Sequence, residues 1–199
     1  MEPHSELIPA PRPAGAAPAE RATDARIRLG AILAVVLAIA FGAWLILRDG
    51  GGESAPSEGA VSSAASVAQL RAVQREAGHP VYWAGPVEGN VYELTRPTDG
   101  NVYVRYLPPG TQVGDRKPEY TTIGTYPRPG ALKGLRRLAR GPEAVTFPLA
   151  GGGIAVYGRD QPNSVYLAFP GEDVQVEVYD PSPQEARRLA RSGRVRPVG

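Results

Sequence analysis

The chain has 199 residues, and its 22 Lys and Arg against 20 Asp and Glu leave a formal charge of +2, which gives no global reason to expect nucleic acid as a partner. The absence of cysteine removes disulfides, thiolate nucleophiles and thiolate-held zinc or iron–sulfur centres together. With only His4 and His79 as imidazoles, a histidine triad or a His-rich metal site is excluded too, and no metal or cofactor is expected.

Residues 1–26 are rich in Pro, Ala and charge and lack an apolar period, so a disordered tail is expected. Residues 27–48 are expected to form one transmembrane helix. Its centre is a run of 19 uncharged residues, Leu29 to Leu47, bounded by Arg28 and Arg48. At ~1.5 Å per residue the run extends ~28 Å, close to a hydrocarbon core ~30 Å thick. A buried core helix of this length would show a polar face, and this run has none. Arg12, Arg21, Arg26 and Arg28 precede it, whereas Arg48 alone follows closely. The positive-inside rule therefore places the N-terminus in the cytoplasm and everything after Arg48 outside the cell membrane. A cleaved signal peptide fits less well, because its apolar region is usually ~7–15 residues long and follows a short basic start. Gly30, Ala34, Ala38 and Gly42 recur at every fourth position, a small-residue face through which two spans would approach as a homodimer.

Residues 49–63 (DGGGESAPSEGAVSS) have the composition of a flexible linker with a reach of ~20 Å. Residues 64–199 are expected to form one extracytoplasmic α+β domain. Ser66 and Gln69 make a capping-box pattern opening an amphipathic helix with Val67, Leu70, Val73 and Ala77, stopped by Gly78 and Pro80. Strands rich in Val, Tyr and Thr are expected at about 80–84, 91–97, 101–107 and 119–126, with Asp99 and Gly100 as a hairpin turn. A helix from about Pro129 to Arg140 carries Leu132, Leu135 and Leu138 and stops at Gly141 and Pro142. Further strands at about 144–148, 153–158, 163–169 and 173–179 lead to a last helix opened by Ser182, Pro183 and Glu185.

The two halves resemble each other. Val102 and Tyr103 parallel Val165 and Tyr166, and in each half a strand ending in Tyr126 or Tyr179 leads through a proline-marked turn to a helix containing RRLAR. Two degenerate βββα units are expected, with their helices on one face of a mostly antiparallel sheet.

No P-loop, G-x-S-x-G elbow, S-x-x-K, H-E-x-x-H or EF-hand loop is present, so no catalytic residue is assigned. His79, between Gly78 and Pro80, is expected to meet the last carbonyls of a helix. Glu172, Asp173 and Asp160 are the acids that a carboxylate-pair hydrolase would use, although turn acids are ordinarily solvated turn formers. The tyrosines fall almost entirely in strands, where core packing is the default; Tyr82, Trp83, Tyr103 and Tyr166 are the candidates for lining a carbohydrate or peptide groove. Arg136, Arg137 and Arg140, with Arg187, Arg188 and Arg191, crowd two helix C-termini and would together form a basic face for anionic lipid or wall polymer. The expected function is a non-enzymatic, membrane-anchored envelope protein whose outer domain binds a partner protein, a wall polymer or the membrane surface. The alternatives are a small carboxylate hydrolase and a ligand sensor acting through a membrane partner.

Overall fold

The computed structural model describes residues 62–199. The expected tail, the span with Gly30, Ala34, Ala38 and Gly42, and most of the linker lie outside the described residues. Among the described residues no helix is long and apolar enough to cross a membrane.

The elements run β1 (Ser62–Ala65), α1 (Val67–Ala77), β2 (Tyr82–Trp83), β3 (Val91–Thr95), β4 (Val102–Leu107), β5 (Thr122–Pro127), α2 (Ala131–Leu138), β6 (Ala144–Pro148), β7 (Ile154–Gly158), β8 (Ser164–Ala168), β9 (Val174–Tyr179), α3 (Pro183–Arg191) and β10 (Arg196–Pro197). One eight-stranded sheet has the order β1-β3-β4-β5-β9-β8-β7-β6, and β10 with β2 forms a small second ribbon. Every ladder is antiparallel, so the chain is an α+β protein of mostly antiparallel sheet.

The eight strands divide into two four-stranded meanders joined where β5 pairs with β9. Their registers coincide. Tyr103 stands opposite Gly124 in the first half, Tyr166 opposite Glu177 in the second, and Gly124 and Glu177 are themselves partners across the junction. A local two-fold therefore passes through the Gly124–Glu177 pair.

All five residues of β8 are buried, so both faces of the sheet need cover. Side chains alternate between faces along a strand. Val165 and Leu167 lie in the main core with Val104, Ile123, Val176 and Val178, beneath Leu70 and Val73 of α1 and Ala186, Leu189 and Ala190 of α3. Val156, Tyr166 and Ala168 face the other way and pack under Ala131 and Leu135 of α2. The helices thus occupy both faces rather than the single face expected. The reason lies in the first half. The register positions of Ile154 and Ala168, which α2 covers, are held there by Glu93 and Arg105. An apolar helix face has nothing to pack on over an ion pair, and α3 turns to the opposite, apolar side. The long loop after β4 covers Glu93 and Arg105 instead: Gly114 N donates to Glu93 Oε2, and Arg105 donates 2.6 Å to Glu93 Oε1 and 3.0 Å to the Lys117 carbonyl.

α1 begins as expected: Ser66 Oγ accepts from Gln69 N at 3.2 Å and Gln69 Oε1 from Ser66 N at 2.7 Å. The domain, however, starts earlier than residue 64. β1 extends the sheet edge with Ser62 and Ser63, tied by backbone pairing and by a 2.7 Å contact between Ser62 Oγ and Thr95 Oγ1. At the other terminus Val198 N donates to Val81 O at 2.8 Å, and Gln74 bridges both segments.

Candidate functional site

At the local two-fold the helix-covered and loop-covered parts of one face meet over a single carboxylate. Glu177, partly accessible, accepts from Tyr126 Oη and, at 2.6 Å, from Ser164 Oγ. Tyr166 contributes a further hydroxyl that favours the ionised form, but burial outweighs the three hydroxyls and holds the Glu177 carboxyl above its usual range. Burial, then the Glu177 charge, pushes the Tyr103 phenol up to about 12, and its ring meets that of Tyr126 edge-on at 5.7 Å. Gly124 makes this possible, since a Cβ there would lie 2.8 Å from Tyr126 Oη. No second carboxylate contributes to the Glu177 shift. The acids of the 169–173 turn are engaged elsewhere: Tyr82 Oη donates to Glu172 at 2.6 Å and Gly130 N to Asp173 at 2.9 Å. Asp160 is exposed in the turn before β8. Among the described residues no three His, Asp or Glu gather to hold a metal ion.

The four aromatic candidates do not share a groove. Tyr82 and Trp83 are buried in the main core, Tyr82 stacked on Phe169 at 5.5 Å and Trp83 edge-on to Tyr92 at 5.9 Å. Tyr103 and Tyr166 lie on the opposite face beside Glu177, with Tyr166 only 2 % exposed. His79 does not cap α1: its Nδ1 and Nε2 lie 2.9 and 3.2 Å from the carbonyl oxygens of Pro80 and Gly100, joining the helix exit to the β3–β4 turn.

The six arginines also divide, because α2 and α3 lie on opposite faces. Those of α3 are absorbed by its own surroundings. Arg187 lies 5.4 Å over Tyr157, Arg191 4.0 Å over Phe147, and Arg188 pairs with Glu185 at 2.6 Å. Arg187, Arg188 and Arg191 line a groove of about 490 Å³, and Arg136, Arg137 and Arg140 line one of about 580 Å³ with Lys133, Leu132, and Phe169, Gly171, Glu172 and Asp173 of the β8–β9 turn. Lys133, 136, 137 and 140 follow the i, i+3, i+4, i+7 spacing of one helix face. Lys133, Arg136 and Arg140 have no ion-pair partner among the described residues.

Sequence reasoning overlooked Lys133, whose helical spacing was readable, and Glu177, whose signal is its place with Gln175 in the otherwise apolar alternation of VQVEVY. Gly124 carries no such signal, because its importance depends on a partner in β9. Comparison with protein-family profiles, with curated proteins and with solved structures finds no match.

Proposed function

We propose that the chain is a single-pass envelope protein, its N-terminus cytoplasmic and its α+β domain outside the membrane, that acts without catalysis by holding an acidic surface against α2. The observation that carries this reading is the stripe Lys133, Arg136 and Arg140 along one side of a groove, where with Arg137 four cations face the two carboxylates Glu172 and Asp173. Cations so placed gain at a helix C-terminus whatever else they do. Lys133, Arg136 and Arg140 have no ion-pair partner among the described residues, whereas Arg187 and Arg191 lie over aromatic rings and Arg188 pairs with Glu185.

A carboxylate-pair hydrolase has less support, since Glu177 is surrounded by hydroxyls and is not perturbed by another acid. A sensor with an apolar pocket between the halves has less as well, because β2 packs on β5 beside the junction and Tyr82 N donates to Thr125 Oγ1 at 2.9 Å. The halves are best read as diverged copies of one unit, on the strength of their matching registers. Binding of the full-length chain to soluble polyglutamate, followed against salt, tests the groove. Lys133→Gln/Arg136→Gln/Arg140→Gln should weaken binding and flatten its salt dependence, whereas the same loss from Arg187→Gln/Arg191→Gln alone would move the site to α3.

A further inference from the structure

Resting on the anchored reading above, we infer that the acidic surface met by α2 is the anionic phospholipid headgroup layer of the membrane that holds the chain. The register decides which end of the sheet faces the tether. Ser62, where the chain arrives from the linker, pairs with Thr95, and Thr95 with Tyr103. Following the ladders across, Val102 pairs with Thr125, Pro127 with Val174, and Val176 with Leu167, so the same end of the sheet carries the start of β1, the exit of β5 and the β8–β9 turn. That turn forms one wall of the groove, and α2, the other wall, follows β5 directly. The β8–β9 wall of the groove and the tether therefore leave the sheet at one end, and α2 runs from that end toward the other, where β6 begins.

The chemistry of the walls agrees with this placement. Leu132 and Phe169 are half-buried beside the cations, an apolar shoulder of the kind that rests at a headgroup boundary while longer basic side chains meet phosphate. On the anchored reading, the composition of residues 49–61 gives a linker with a reach of ~20 Å, enough to bring the groove to the bilayer without any further partner. Near an anionic surface each added cation favours association about fivefold.

The chain has no cysteine, so one introduced thiol reports one position. A Cβ added at Gly134 of α2 would meet nothing within 4 Å outside its own helix, so a Gly134→Cys side chain bearing a fluorophore stands clear of the packing. Glu88→Cys, exposed before β3 at the opposite end, serves as the control. The labelled full-length chain is reconstituted into phosphatidylcholine vesicles with and without phosphatidylglycerol, each carrying a headgroup quencher. The chain should float with both vesicles, and the 134 probe alone should be quenched, only with phosphatidylglycerol and only at low salt. Charge reversal at Arg136 and Arg140 should abolish that quenching. Flotation with both lipids but no phosphatidylglycerol-dependent quenching would overturn the headgroup contact and leave the anchor standing, and so would protection of the probe by polyglutamate alone. Failure to float with either would remove the anchored reading and this inference with it.

Discussion

Arg105→Ala should be among the most damaging single changes in the domain, for a reason that can be worked through. Glu93 is 1 % exposed, and its carboxylate is held by Arg105 at 2.6 Å and by the Gly114 amide. Removing the guanidinium leaves a buried charge without its counter-ion, which costs about 3–5 kcal/mol. It also releases the loop after β4 from the Lys117 carbonyl and from the Tyr120 ring, over which Arg105 lies at 5.1 Å. Against a domain stability on the order of 5–15 kcal/mol this is a large fraction. At this chain length it corresponds to a fall in Tm of roughly 6–20 °C. The second half of the protein supplies the compensating change, because Ile154 and Ala168 hold the equivalent positions. Glu93→Ile/Arg105→Ala should therefore recover most of the loss, to within about 1.5 kcal/mol of the parent, since a well-packed apolar replacement of a buried pair is often neutral. Denaturant unfolding of the full-length chain in micelles, followed by near-ultraviolet circular dichroism, measures both. An Arg105→Ala cost below about 1 kcal/mol, or a double variant no better than the single one, would refute the argument that Glu93 is a buried charge with Arg105 as its counter-ion.

Gly124→Ala should cost about 1–3 kcal/mol, because the new methyl meets Tyr126 Oη at 2.8 Å and displaces it from Glu177; thermal unfolding measures it, and Tyr126→Phe/Gly124→Ala should cost less than the sum of its parts. Glu177 is held above its ordinary range, so the stability it contributes is full at low pH and lost as pH rises through that raised value. Glu177→Gln should accordingly gain on the parent protein as pH rises above the ordinary glutamate range, and a gap moving the other way in unfolding midpoints would contradict the burial argument. Neutralising Lys133, Arg136 and Arg140 should change stability by no more than about 0.5 kcal/mol each, as expected for exposed positions, while reducing binding to polyglutamate.

The long strands and the two capped helices were readable because each carries a local cause: alternation of apolar residues, Asp99–Gly100 at a turn, Ser66 with Gln69, and Ser182 before Pro183. β1 was not readable. Its sequence, SSAA, has neither β-branched residues nor apolar alternation, and it forms a strand by pairing its backbone with β3 at the sheet edge. The distribution of the helices over both faces was hidden for a related reason. Which face α3 takes depends on Glu93 and Arg105 becoming neighbours across β3 and β4, far from the helix in sequence. The basic residues were identified by type, but only the three-dimensional surroundings separate Arg191, lying over Phe147, from Arg140, which has no ion-pair partner among the described residues.

The proposed envelope role depends most on the domain lying outside the cell, and the cysteine-free chain makes that directly measurable. Asp160→Cys, in an exposed turn, should react with a membrane-impermeant maleimide in intact spheroplasts as fully as after lysis. Labelling that appears only after the membrane is broken would place the domain in the cytoplasm and contradict that role.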